Sequence, residues 1–155
     1  KIGIIATNTT VNSNAYARAI HAHDPQARVQ SQACPLLVPL VEEGWLEHDV
    51  TRLTVREYLK PILADDADTL VLGCTHYPLL KPLLREEAPR LALVDSATTT
   101  AAHTAQALTA ADLLRQSGDS AHYRYCVSDI PLRFRAIGER FLGRSIDDLE
   151  TVRLG

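Results

Sequence analysis

The sequence predicts an α/β fold built on a mainly parallel sheet. Three observations carry that prediction. Short β-rich runs alternate with longer helix-like segments along the whole chain. One of those runs, Leu70-Val71-Leu72, is apolar at every position, as strands buried between two helical layers are. Several runs end directly in turns rich in Gly, Pro, Asp or Ser, where the chain can reverse into a helix.

From the N-terminus, Ile2–Ala6 reads as a strand, and Ser13–His23 as a helix closed by Asp24-Pro25. Arg28–Ala33 alternates as a strand and ends at Cys34-Pro35, and Leu36–Glu43 is a short helix stopped at Gly44. Asp49 or Thr51 can cap a helix running toward Leu63, with Pro61 distorting its last turn. Thr69–Leu72 is the buried strand; it runs into Gly73-Cys74-Thr75-His76-Tyr77-Pro78, after which Leu79–Glu87 is helical. Leu91–Val94 is a strand ending at Asp95-Ser96, and Ala97–Gln116 is an Ala- and Leu-rich helix closing at Gly118. Tyr123–Val127 is a strand, Ser128 or Asp129 caps a helix over Ile130–Leu142 that Gly143 ends, and Val152–Leu154 forms a last edge strand. The Asp95-Ser96 turn is the boundary candidate, dividing residues 1–95 from 96–155.

Composition narrows the class. With 46% apolar and 23% charged residues the chain is of ordinary globular make-up. No apolar run approaches the roughly 20 residues that cross a bilayer as a helix. A net charge of −3 with both signs interspersed gives no nucleic-acid footprint. Three cysteines are too few and too odd in number for a disulfide framework, so reduced thiols and a cytoplasmic setting are expected. There is no Met, and Lys1 leads straight into a strand-like run without a signal-peptide pattern, so a preceding segment is expected.

Candidate chemistry lies at strand-to-helix turns, because ligands of open α/β sheets gather at the carboxyl ends of the strands. Three turns qualify: Ala6-Thr7-Asn8-Thr9-Thr10, Ala33-Cys34-Pro35 with Glu42 and Glu43 on the helix after it, and Gly73-Cys74-Thr75-His76. In the third, Gly73 permits a tight turn, and Cys74 sits near a helix N-terminus that should lower its pKa. His76 can hold or donate a proton beside the thiol, and Thr75 offers a hydroxyl and an amide to a carboxylate. The plainer reading stays open: a strand-end cysteine is commonly inert core, and a turn histidine commonly solvated. Thr7, Thr9 and Thr10 read equally as an anion cradle or a helix-capping loop. Glu42 and Glu43 read as a solvated acidic face, Cys34 as a strand-end residue and Cys126 as core. A zinc site from Cys34, Cys74 and His76 lacks any supporting ligand spacing.

Leu72-Gly73-Cys74-Thr75-His76-Tyr77-Pro78-Leu79-Leu80 resembles the second catalytic-cysteine motif of bacterial glutamate racemases. Ala33–Gly44, the run from Ile2 through Thr7 and Thr10 to Tyr16, Leu93–Ala97, and Arg133-Phe134 through Gly143 resemble further segments of that family, in the same order. The resemblance implies a Rossmann-like racemase domain over residues 1–95 and, over 96–155, the returning part of a second α/β domain that is incomplete here. It implies racemisation of glutamate between two thiols, without pyridoxal phosphate, metal or other cofactor. In that scheme Cys74 is one acid/base, serving the L-enantiomer. His76 and Glu42 assist it, and Thr75, Thr7 and Thr10 hold substrate. A homodimer supplying D-glutamate for peptidoglycan, without nucleic-acid or membrane partners, is implied as well. The family's Asp-Ser-Gly, Pro-Tyr-Gly and Cys-Asn-Thr motifs, the last with the other thiol, do not occur in these residues. The chain alone is therefore expected not to racemise. Aspartate and hydantoin racemases of the same superfamily, a non-catalytic binding module and a Cys–His hydrolase are the competing readings.

Overall fold

The computed structural model describes residues 1–118 and 120–153. The chain divides into two compact units, Lys1–Asp112 and Leu113–Gly155.

The first unit is a four-stranded, wholly parallel sheet with helices between its strands, so the expected α/β class holds. Its strands are β1 (Ile2–Ala6), β2 (Val29–Ala33), β3 (Thr69–Gly73) and β4 (Ala92–Asp95), in the order β2-β1-β3-β4. Parallel pairing sets Ala6 opposite both Ala33 and Gly73, and Leu72 opposite Asp95. All carboxyl ends therefore meet at one edge of the sheet.

Beneath one sheet face lies the core, where Ile5, Leu70 and Leu72 join a cluster with the helices α3 (Leu37–Glu42), α4 (Asp49–Ala64) and α5 (Lys81–Glu87). In α4 the buried residues Thr51, Val55, Leu59 and Ile62 recur at helical spacing, so one stripe faces the strands. Each large aliphatic side chain buried there contributes on the order of 2 kcal/mol. Gly3 makes the closest approach possible: a Cβ built on it would lie 2.4 Å from Ile62 Cγ2.

Several local expectations are corrected. The helix expected over Ser13–His23 is α2 (Ala15–His23), and a separate helix not expected, α1 (Asn8–Ser13), precedes it, the two divided where Asn14 takes a left-handed φ of 52°. The Thr7–Thr10 stretch is thus a helix cap and first turn, with the Thr10 N–H donating to Thr7 Oγ1 at 3.4 Å. The cap of α4 is His48, whose Nδ1 accepts from the Val50 N–H at 3.1 Å, and neither Asp49 nor Thr51. His48 is held there by stacking on Trp45 at 4.5 Å, while the buried Thr51 hydroxyl donates to the Trp45 carbonyl. A 3₁₀ turn, Tyr77–Leu80, precedes α5. The helix α6 (Ser96–Ala110) stops well short of Gln116, where Asp112 turns to a φ of 54°. It buries no side chain, so no packing extends it along its Ala-rich tail.

The second unit is a small βαβ arrangement: β5 (Tyr125–Val127), α7 (Pro131–Leu142) and β6 (Leu149–Thr151), with β5 and β6 parallel. Pro131 opens α7 without a side-chain cap from Ser128 or Asp129, and Gly143 closes it at a φ of 64°. The last strand lies at Leu149–Thr151 and not at Val152–Leu154, of which Leu154 is outside the described residues. Cys126, expected in the core, is exposed, because its strand belongs to a sheet of only two.

Candidate active site

The strand order places a switch point between β1 and β3. From β1 the chain steps outward to β2, then crosses back to β3 on the other side of β1. Crevices at such points, outside the carboxyl ends, are where open α/β sheets take ligands. The turns after β1 and β3 carry Thr7 and Cys74 into this region.

Gly73 is there because of close approach. A Cβ on it would lie 3.0 Å from Ala6 Cβ, 3.1 Å from the Ile5 carbonyl oxygen and 3.1 Å from Tyr16 Cε2. Cys74 comes immediately after it and is half-buried. Burial raises its thiol pKa above the ordinary value, and the backbone N–H groups of His76 and Tyr77 pull it back only in part. The lowered pKa expected from a helix N-terminus is thus reversed in sign. The element beyond the thiol is a 3₁₀ turn of four residues and not an α-helix, and burial is the largest influence on the thiol.

His76 in the turn after β3 binds Glu42 at the end of α3, Nε2 to Oε1 at 3.2 Å, with each side chain about three-quarters buried. The Glu42 carboxylate can only accept, so Nε2 carries the proton and Nδ1 faces the Thr75 hydroxyl at 3.4 Å. Glu42 is therefore drawn into the site and is not part of a solvated face, whereas Glu43 remains exposed. Thr7 and Thr10 point their hydroxyls at each other, 3.0 Å apart. The turn after β3 thus holds Cys74, Thr75 and His76, with Glu42 bound to His76, while Thr7 and Thr10 follow the end of β1, whose Ala6 pairs with Gly73.

Cys34 does not belong to this set. It is fully buried, its thiol donates weakly to the Gln32 carbonyl, and burial pushes its pKa up to about 12. No group of three or more His, Cys, Asp or Glu side chains is placed to hold a metal ion among the described residues. Nor is any described helix long and apolar enough to cross a membrane.

Two features escaped the sequence. The buried Tyr77 hydroxyl donates to the Cys34 carbonyl at 3.0 Å, although its residue stands inside the cysteine motif itself. A cleft of about 270 Å³ opens beside β3 and β4, with Tyr16 and the first turn of α6 around it. At its edge Asp95 is buried, paired with Lys81, and accepts from the Thr98 N–H at 2.9 Å and the Thr98 hydroxyl at 3.0 Å. Strand periodicity marks neither.

Fold and site together define a parallel α/β domain with a half-buried cysteine and a His–Glu pair at its switch point. The chain belongs to the Asp/Glu/Hydantoin racemase family, whose model matches residues 1–104. It is 68% identical over 155 residues to the glutamate racemase of Neisseria meningitidis serogroup B, and 59% identical over 154 residues to that of Syntrophus aciditrophicus. The crystal structure of glutamate racemase from Francisella tularensis in complex with D-glutamate is similar at a TM-score of 0.90 and 37% identity over 98% of this chain. In each comparison nearly the whole chain is covered, but only 57% of the relative. The chain thus spans little more than half the length of the proteins it matches.

Proposed function

We propose that this chain is the Cys74-bearing part of a cofactor-independent glutamate racemase. The observation that carries the reading is a half-buried thiol at the switch point with the His76–Glu42 pair beside it. The α-hydrogen of an amino acid is weakly acidic, so a strong base and stabilisation of the carbanion are both needed. A thiol with a raised pKa is scarce as thiolate but, once ionised, is the stronger base. Cys74 thiolate takes the α-proton from L-glutamate and becomes a thiol. A second thiol, from protein beyond these 155 residues, delivers its own proton to the opposite face and becomes thiolate. Glu42 orients His76 at the site. Thr75, with its hydroxyl and amide, and Thr7 with Thr10 are assigned to the substrate carboxylates.

In this reading residues 1–95 form the second racemase domain and 96–155 complete the first. The assembled protein would be a cytoplasmic homodimer making D-glutamate for peptidoglycan. The bound D-glutamate of the Francisella relative and the high identity to glutamate racemases favour glutamate over aspartate or a hydantoin. A Cys–His hydrolase is disfavoured, since the His76 ring nitrogen not bound to Glu42 faces the Thr75 hydroxyl and not the Cys74 thiol.

The test is a panel of L-glutamate, L-aspartate and a hydantoin, monitored by circular dichroism, on the full-length protein and its Cys74→Ser variant. Racemisation of glutamate alone, lost by at least about a thousandfold in the variant, is expected. Activity unchanged by Cys74→Ser would sink the assignment. The 155 residues alone should give no D-glutamate, and at most deuterium exchange into one enantiomer.

A further inference from the structure

The turn after β3 carries a fully buried phenol. Tyr77 is 0% exposed, and its hydroxyl donates to the Cys34 carbonyl at 3.0 Å. Cys34 is a backbone junction. The Cys34 N–H donates to the Ala6 carbonyl at 2.8 Å, and the Cys34 carbonyl also accepts from the Leu37 N–H at 3.2 Å. The backbone of this one residue thereby joins the ends of β1 and β2 to the start of α3. The Tyr77 hydroxyl adds the segment after β3 to the same junction.

The two halves of the His76–Glu42 pair ride on these two segments. His76 immediately precedes Tyr77, and Glu42 is the last residue of α3. Hydrogen bonds inside the turn, from the Tyr77 N–H to the Cys74 carbonyl and from the Leu79 N–H to the His76 carbonyl, fix its shape. Being local, they do not fix its distance from α3. The Tyr77 hydroxyl bond spans that distance. Leu37 and Val41 of α3 share one buried apolar cluster with Tyr77 and Leu80, which brings the two segments together, and to this non-directional packing the Tyr77 hydroxyl adds a directional bond.

We infer that Tyr77 is a positioning residue: its hydroxyl bond to the Cys34 carbonyl sets the spacing of Glu42 and His76, and so the placing of His76 beside Cys74. The anchor suits the task because it stays neutral. Burial drives the Tyr77 phenol far above its ordinary pKa, so it remains a donor while groups at the crevice change charge. The consequence for catalysis rests on the racemase reading, but the consequence for the His–Glu pair does not.

The test is histidine side-chain ¹⁵N–¹H correlation spectroscopy on the full protein. Glu42→Gln defines the His76 ring resonances of a weakened pair. Tyr77→Phe is expected to move those resonances at least half of the way from wild type to the Glu42→Gln position. Tyr77→4-aminophenylalanine, which keeps the ring and a donor, is expected to restore them. Wild-type His76 resonances in a folded Tyr77→Phe protein would overturn the inference. Should that variant not fold, 4-aminophenylalanine and 4-fluorophenylalanine at position 77 make the same comparison, and equal His76 resonances in the two would overturn it. In the kinetic arm, Tyr77→Phe should lower kcat about tenfold, the order expected of one lost hydrogen bond, with KM within about twofold. A change in KM alone would also count against the inference. Absence of racemisation in the unsubstituted protein bears on the racemase reading, and the spectra then decide the role of Tyr77.

Discussion

Asp95→Asn removes one charge at the joint between β4 and α6 while keeping the side chain's size. The Asp95 carboxylate is 4% exposed, faces the Lys81 ammonium, and takes two hydrogen bonds from Thr98. Lys81 first, then the Thr98 N–H, lowers its pKa from 3.8 to about 2. A depression of that size corresponds to about 2 kcal/mol of stability. The sign is fixed by the direction of the shift. Because the folded pKa lies below the unfolded one, the contribution is present in full above about pH 4 and lost as pH falls toward 2, with about half gone near pH 3. Urea unfolding monitored by circular dichroism measures it without adding salt, which would screen the pair. At pH 7 the variant should be about 2 kcal/mol less stable than wild type, and near pH 2 the two should converge. Other carboxylates protonate in both proteins alike, so the difference isolates Asp95. A stability gap that is absent at pH 7, or persists undiminished near pH 2, would refute the account of the joint.

Two further outcomes rest on the site's geometry. Gly73→Ala presses a methyl group against Ala6, the Ile5 carbonyl and the Tyr16 ring, and should cost about 1–3 kcal/mol in denaturant titration. A variant as stable as wild type would mean the turn yields freely. Iodoacetamide labelling at pH 8, read by peptide mass spectrometry, should modify exposed Cys126 first, half-buried Cys74 slowly, and Cys34 only on unfolding. With a pKa of about 12, Cys34 is thiolate in only about one molecule in ten thousand at that pH. Rapid labelling of Cys34 in the folded protein would contradict its place in the core.

What the sequence disclosed was what local pattern encodes. The apolar run at Leu70–Leu72 and the turns after it determine β3 and the position of Cys74, so both were legible. The short helix α1 was not, because Asn8–Ser13 is mostly Asn, Thr and Ser and buries no side chain, so no apolar spacing announces it. His48 was missed as a cap since histidine seldom serves, and what places it is a stack on Trp45 that no local pattern announces. The overlong reading of α6 has the opposite cause: Ala and Leu favour a helix locally, while its length depends on contacts that it lacks beyond Ala110. At the site, Gly73, Cys74, Thr75 and His76 were visible together, and Glu42 was named beside them by the resemblance alone, but its pairing with His76 was not legible. Glu42 and His76 meet only after β1 has been placed between β2 and β3. The sign of the Cys74 shift failed for a related reason, being a balance of burial against two amides and so a property of the packed structure.

That balance explains why the site belongs at this edge of this sheet. Parallel strands send every carboxyl end the same way, so the turns after β1, β2 and β3 converge once the sheet has formed. Their convergence needs no contact among the turns themselves. What the turns must add is distance and charge: a glycine narrow enough to seat Cys74 against β1, two amides to temper its burial, and a buried phenol to hold α3 at reach of His76. A substitution within the strands should therefore cost stability and chemistry together, whereas Tyr77→Phe or Glu42→Gln should alter the chemistry of a molecule that still folds.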